Sequence, residues 1–344
     1  ASNSKILIMD EPTAPLTTNE TRILFDLIER LKQHNVTIIF ITHRMEEMYE
    51  ICDTVTVMRD GKHIITRPVE GLSRKQLISY MVGHEMGENY PPRQQALGEV
   101  VLSVEGLSNQ NVHNISFELH KGEILGIGGL VGAGRTELVQ ALYGADPIES
   151  GSLKLHQKPV SIRNPGAALD KGIGLIPEDR KNQGVLLVLP VRHNVTFSSL
   201  KHVMRGPFID NRRDEEVADE YIDKLRIKTP SSMQLVRNLS GGNQQKVVLA
   251  KILASQCDIV IFDEPTRGID VGAKQEIYQL MRDMVDQEGK SIIMVSSEMP
   301  ELMGMSDRIL VMRHGSIVGE LKREEFTQER LMEYASGLLE ESEE

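Results

Sequence analysis

Gly129-Leu-Val-Gly-Ala-Gly-Arg-Thr136 is the stretch on which the reading of the fold turns. It follows the apolar run Glu123-Ile-Leu-Gly-Ile127 and opens a helix-forming stretch over residues 137–142. Strand, glycine-rich loop and helix in that order are the setting of a phosphate-binding P-loop. Glycines let backbone N–H groups converge on phosphate oxygens, and the helix N-terminus adds the positive end of its dipole. The residue expected before the threonine is Lys, and here it is Arg135. Arginine keeps the positive charge, but its wide planar fork does not reproduce a compact ammonium between terminal phosphates. Binding is therefore expected to survive and catalysis to suffer. Taken alone, the loop reads equally well as a glycine-rich turn packed under a helix. A dinucleotide loop is disfavoured, because the glycines do not fall at the G-x-G-x-x-G spacing.

Working outward, the chain repeats itself. Lys5-Ile-Leu-Ile-Met-Asp-Glu-Pro-Thr13 returns as Asp258-Ile-Val-Ile-Phe-Asp-Glu-Pro-Thr266. Thr37-Ile-Ile-Phe-Ile-Thr-His43 matches Ser291-Ile-Ile-Met-Val-Ser-Ser297, and Asp53-Thr-Val-Thr-Val-Met-Arg-Asp-Gly61 matches Asp307-Arg-Ile-Leu-Val-Met-Arg-His-Gly315. Fixed-order self-similarity of this kind marks two copies of one module. Only nine residues precede the first Asp-Glu pair, so the first copy is expected to lack its front half. The expected organisation is 1–88 for the C-terminal part of a first domain, 89–98 for a linker, and 99–344 for a complete second domain. The linker assignment rests on Gly83-His-Glu-Met-Gly-Glu-Asn-Tyr-Pro-Pro-Arg-Gln-Gln95, which mixes Gly, Pro and polar residues without periodicity.

Strand-like runs alternate with helix-length segments, and continuous apolar strands such as Ile259-Val-Ile-Phe262 predict a parallel sheet covered on both faces. Val100-Val-Leu-Ser-Val104 and Ile115-Ser-Phe-Glu-Leu119 alternate instead, which predicts a small antiparallel sheet. An α/β P-loop NTPase follows. Each Asp-Glu pair then stands at the end of an apolar strand, where the first carboxylate can hold a Mg2+ shell and the second can polarise an attacking water. One such pair also reads as a capped strand end leading into a helix; two pairs after matching strands favour the chemical reading.

Leu239-Ser-Gly-Gly-Asn-Gln-Gln-Lys246 lies between the P-loop and the second carboxylate pair. It resembles the signature motif of the ATP-binding cassette (ABC) family, and the resemblance covers essentially the whole chain. It implies a parallel core sheet with a small antiparallel subdomain and a helical subdomain. It also implies cassettes that close head to tail, so that the P-loop of one and the signature of the other sandwich each ATP with its Mg2+. Carried onto this sequence, Gly129, Gly132, Ala133, Gly134, Arg135 and Thr136 would surround phosphates, Ser240, Gly241 and Gly242 would meet the γ-phosphate across the dimer, and Gln244 would be a further nucleotide-binding residue of the signature. Thr136, Asp263 and, in the first copy, Asp10 would lie on the metal side. Glu11 and Glu264 would be the catalytic carboxylates.

Glu178, in Ile176-Pro-Glu-Asp-Arg180, stands where the family usually has a metal-sensing Gln, and Asp270 stands in the loop that crosses the dimer interface. His43 matches the switch histidine, whose counterpart in the second copy is Ser297. Read blandly, Glu178 is a solvated loop acid, Asp270 a helix cap and His43 a strand-end histidine. No aromatic residue lies between Leu107 and Val112, where adenine is often stacked. These departures predict asymmetry. One composite site hydrolyses ATP with Glu11, His43 and the trans Ser240, Gly241 and Gly242, while the second mainly binds.

Asp-Glu-Pro-Thr-Arg-Gly-Ile-Asp-Val-Gly-Ala-Lys and Ser-Ser-Glu-Met-Pro-Glu are similar to the ATPase subunits of bacterial ribose- and galactose-type importers. That similarity implies a monosaccharide cargo, transmembrane permease subunits, an indirect periplasmic sugar-binding protein, and a peripheral place on the cytoplasmic face of the inner membrane. Composition agrees: of 344 residues 40% are hydrophobic and 26% charged, the balance of an ordinary packed protein. No apolar run is long enough to span a bilayer. Cys52 and Cys257 have no metal or disulfide spacing, which suits a reducing cytoplasm. The net charge of -11, without a dense basic stretch, disfavours nucleic acid. Two other readings are soluble tandem cassettes acting on ribosomes, which should leave a basic footprint, and a regulatory fragment in which the second copy only binds nucleotide.

Overall fold

Ile259-Val-Ile-Phe-Asp263 forms a strand whose five residues are all buried, as a continuous apolar run in a doubly covered sheet should be. In the computed structural model, residues 5–10, 12–13, 18–42, 45–59, 62–73, 76–77, 80, 90–91, 96–269 and 271–337 are described. Glu11, His43 and Asp270 lie outside the described residues. Packing divides the chain into two units, 1–89 with 270–272 and 90–269 with 273–344.

In the first unit, β1 (Ile6–Asp10) and β2 (Thr37–Ile41) pair in parallel, with Asp10 opposite Ile41. Helix α1 (Thr18–Gln33) joins them, and its Phe25 and Ile28 share a small core with Ile51 of α2 (Met45–Ile51). β3 (Thr54–Arg59) and β4 (Lys62–Pro68) form an antiparallel pair with a separate cluster around Met48, Val57, Leu72 and Leu77. Ile6, Ile8, Ile39 and Ile41 stand exposed on β1 and β2.

The second unit opens with β5 (Val100–Ser108), β6 (Ile115–His120) and β7 (Ile124–Gly129), followed by α3 (Arg135–Leu142), β8 (Ser150–Leu155), β9 (Lys158–Val160), α4 (Pro165–Asp170) and β10 (Ile173–Ile176). A helical portion follows: α5 (Val191–Thr196), α6 (Leu200–Val203), the hairpin β11 (Met204–Arg205) and β12 (Phe208–Ile209), and α7 (Asn211–Lys224). Thr196 Oγ1 donates to the buried Asp214 carboxylate at 2.6 Å, tying α5 to α7. Then come α8 (Gly241–Ala254), β13 (Ile259–Asp263), α9 (Val271–Asp286), β14 (Ser291–Val295), α10 (Met299–Met305), β15 (Arg308–Arg313), β16 (Ser316–Lys322) and α11 (Gln328–Ser336).

Six strands build the main sheet in the order β10-β13-β14-β7-β15-β16, parallel except for the last pair. Alternate residues face opposite sides, as a strand's period of two requires. Val260, Phe262, Ile292 and Met294 pack with α8 to α11, whereas Ile259, Ile261, Ile293 and Val295 pack with α3 and the antiparallel sheet β6-β5-β8-β9. The alternation read in β6 is real: Ile115, Phe117 and Leu119 point inward and Ser116 and Glu118 outward. β7 continues two residues past the apolar run, to Gly129, and α8 starts at Gly241, because Ser240 takes the extended conformation of an N-cap and the paired glycines form the first turn. Among the described residues no helix is long and apolar enough to cross a membrane.

Phe262 is 0% exposed at the centre of this sheet, whereas Val131 at the loop crest is 93% exposed. Urea unfolding should show Phe262→Ala costing about 3–5 kcal/mol and Val131→Ala less than about 0.5 kcal/mol. Similar costs for the two would contradict the burial pattern.

Candidate functional site

The site begins where β7 stops. Gly129 has φ 150° and Gly134, the N-cap of α3, has φ 95°, so the loop between them turns in conformations that side chains disfavour. Close approach adds to this: a Cβ at Gly129 would collide with the Met312 carbonyl, and one at Gly134 would stand 3.0 Å from Gly315 Cα. The loop is pinned by Gly315 N donating to Ala133 O at 2.9 Å and Ala133 N to Leu130 O at 3.1 Å. The crest around Gly132 and Val131 faces solvent, above the N-terminus of α3.

Arg135 is the first residue of α3 and is buried. Its Nη1 donates to the Ser296 carbonyl at 2.7 Å, and its Nη2 stands 3.5 Å from Glu264 Oε1, both side chains being about nine-tenths buried. Ser297 Oγ donates to Glu264 Oε2 at 3.0 Å. The Glu264 carboxylate thus meets a guanidinium and a hydroxyl. Its backbone sits at φ 49°, a left-handed conformation that costs a non-glycine residue about 1–3 kcal/mol. A hydrogen bond from Glu264 N to Val295 O at 3.0 Å holds it just past the C-terminal end of β13.

Beside it, Thr136 Oγ1 donates to Asp263 Oδ1 at 3.3 Å. Burial pushes the Asp263 carboxyl up to about 6, opposed by the Thr136 hydrogen bond and reinforced by the Glu264 charge. A desolvated carboxylate next to a hydroxyl at the foot of a phosphate loop fits a hard, oxygen-seeking cation such as Mg2+. No group of three or more His, Cys, Asp or Glu side chains suits a metal among the described residues. An ion here would complete its shell with water and phosphate oxygens.

A carboxylate missed in the sequence lies beneath. Glu301 is buried and its carboxyl is raised by that burial. It accepts from Thr266 Oγ1 at 2.7 Å and from Ser296 Oγ, tying the Asp-Glu-Pro-Thr segment to the residue whose carbonyl receives Arg135. The first unit has the same bond at the matching position, Thr42 Oγ1 to Glu47 Oε2 at 2.8 Å. Extending the alignment of the two copies four residues further, from His43 and Ser297 to Glu47 and Glu301, would have found it.

The remaining predicted residues are distributed. Glu178 pairs with Arg267. Ser240 caps α8 with no side-chain hydrogen bond to the helix's backbone amides, and its Oγ accepts from Asn243 Nδ2 at 2.9 Å. Gly241 and Gly242 form the first turn. Gln244 is buried and faces inward, with Nε2 donating to the carbonyls of Val236 at 3.3 Å and Leu239 at 3.2 Å, so it braces the segment before the helix. Asp10 is at the exposed end of β1. In place of an aromatic, Asn109 Oδ1 accepts from Asn111 N and Val112 N and closes a turn.

Comparison with known proteins agrees with this arrangement. The sequence profile described as "ABC transporter" matches residues 112–267. A ribose import ATP-binding protein from Bacillus licheniformis is 48% identical over 98% of this chain and 68% of its own length. A galactose/methyl galactoside import ATP-binding protein from Clostridium tetani is also 48% identical, over 97% of this chain and 67% of its own length. Among solved structures, a post-hydrolysis dimer of an ATP-binding cassette bound to ADP and Pi matches with a TM-score of 0.57 at 20% identity, covering 65% of this chain and 100% of that one. CbiO1 from Clostridium perfringens, part of an ABC transporter complex, matches with a TM-score of 0.57 at 22% identity, covering 70% of this chain and 95% of that one. Fold, site geometry and sequence agree that the chain belongs to the ABC transporter family, among its import ATP-binding proteins.

Proposed function

We propose that this chain binds and hydrolyses ATP to energise import of a monosaccharide through membrane permease subunits, with each ATP held between two cassettes. The observation that carries the reading is the joining of Arg135, Thr136, Asp263, Glu264 and Ser297 at the mouth of the P-loop. A triphosphate placed on the amides at the start of α3 would meet all of them. Thr136 and Asp263 would hold Mg2+, which supplies charge neutralisation on the phosphates. The protein's part is positioning and electrostatic stabilisation of in-line water attack. Relatives that import ribose and galactose support the sugar class. The permease, an indirect periplasmic sugar-binding protein and a peripheral place at the cytoplasmic face of the inner membrane come with the same reading. Residues 1–88 and 99–344 are read as the end of one cassette and the whole of another, joined by 89–98.

Two such sites in a cassette pair would be unequal. At the second, the Arg135 fork already binds Glu264 and the Ser296 carbonyl, so the carboxylate that should polarise water is partly neutralised. Ser297 stands where the first copy has His43. The second site mainly binds, and the first, with Glu11 and His43, carries turnover. In the intact cassette pair, Glu11→Gln should lower steady-state ATPase by about 100-fold or more and trap the ATP-bound closed form, while Glu264→Gln changes the rate by less than about threefold. Equal losses from the two variants would overturn the asymmetry.

The charge arrangement is testable on this chain directly. Arg135→Ala leaves Glu264 buried without its cation and should cost about 3–5 kcal/mol in urea unfolding. Adding Glu264→Gln to that variant removes the uncompensated charge and should restore part of the loss. A double variant no more stable than Arg135→Ala alone would mean that the pair does not compensate charge.

A further inference from the structure

Residues 178–185 leave β10 and run along α8, the helix that the signature motif opens. Lys251 Nζ donates to the Gly184 carbonyl. A Cβ on Gly184 would stand 2.8 Å from Val248 Cγ2, so the segment lies directly against the helix. Further back, its π-helical turn Arg180–Gly184 brings Arg180 over the helix N-terminus. Arg180 Nη2 is 2.8 Å, and Cζ 3.4 Å, from where a Cβ on Gly241 would stand. The guanidinium therefore lies directly against the first turn of α8.

The acids on either side of Arg180 in sequence are committed elsewhere. Glu178 pairs with Arg267. Asp179 accepts from Lys181 N and Asn182 N at 3.1 Å and from Asn182 Nδ2 at 2.6 Å, closing its own turn. Among the described residues no hydrogen bond or ion pair engages the Arg180 guanidinium, and its Nε is fully buried without a partner. A cation is thereby held at the positive end of a 14-residue helix that has no side-chain cap. Helix electrostatics disfavour that placement, since cations belong at the C-terminus and anions at the N-terminus. One anion in front of Gly241 would relieve both the uncapped amides and the unpartnered guanidinium.

We propose that Arg180 is a ligand of the terminal phosphate of ATP, acting beside Ser240, Gly241 and Gly242 on the nucleotide held by the facing cassette. The proposal rests on the reading of those three residues as the trans contact. It adds a charge-assisted, fork-shaped contact to oxygens that ADP lacks, and so makes Arg180 a determinant of ATP over ADP in cassette closure.

The test uses the intact cassette pair with Arg180→Gln, Arg180→Lys and, as a control on the trans contact itself, Ser240→Arg. Arg180→Gln should reduce ATP-driven closure and kcat/KM by about 10- to 100-fold, with ADP affinity and Tm unchanged, and Arg180→Lys should retain part of the activity. Arg180→Gln within twofold of the parent, while Ser240→Arg abolishes closure, would overturn the proposal and leave the trans contact standing. No effect of either would remove the trans contact as well. Equal loss of ADP and ATP binding, or a lowered Tm that Arg180→Lys does not rescue, would assign Arg180 a purely structural role and also overturn it.

Discussion

Two carboxylates, Asp263 and Glu264, stand side by side at the end of a strand with no exposed residue, and the site is organised around compensating their charge. Neighbouring buried acids cannot both ionise cheaply without donors or cations. Thr136 answers the first and Arg135 with Ser297 the second, while Asp263 retains a carboxyl raised to about 6. Thr136 and Arg135 sit in the first turn of α3, whose position is set by the glycines of the phosphate loop, and Ser297 follows the end of β14. Backbone, charge and packing therefore converge on a few residues, and a nucleotide with its metal is the partner that fits them.

The two copies share a frame and differ in sequence at His43 and Ser297, a position that the proposed function places at the nucleotide. Thr42–Glu47 in the first unit and Ser296–Glu301 in the second are the same hydroxyl–carboxylate tie, kept beneath the site in both. Above that tie, the second copy has Arg135 and Ser297 where a hydrolytic cassette would present Lys and His. A guanidinium bridging a carbonyl and a carboxylate suits holding a fixed arrangement better than following a phosphate through reaction. That difference, on an otherwise repeated scaffold, is the physical basis of the proposed division between a binding site and a turning-over site.

Much of this was legible in the sequence because it is written in local order. Continuous apolar runs gave the parallel strands, alternation gave the antiparallel sheet, and the glycine loop before α3 fixed which strand ends carry chemistry. The meeting of Arg135 with Glu264 and Ser296 was not legible, since it joins residues from three separate strand and helix ends that only the sheet order β13-β14-β7 brings together. Gln244 read as a nucleotide contact of the signature, yet the helical turn begun by Gly241 rotates it inward, where it donates to the carbonyls of Val236 and Leu239. Glu301 hid in a helix start, and Arg180 in a loop whose course along α8 has no sequence pattern of its own.

The central claim is that the second unit recognises a nucleotide through its phosphates, because the glycine loop leads into the amides at the start of α3 and no aromatic residue lies between Leu107 and Val112 to stack a base. Calorimetric titration of the chain with ATP, ADP and adenosine in the presence of Mg2+ measures this directly. The account predicts binding of both phosphorylated nucleotides and none of adenosine over the same concentration range. Adenosine binding as tightly as ATP, or no binding of ATP at all, would contradict it.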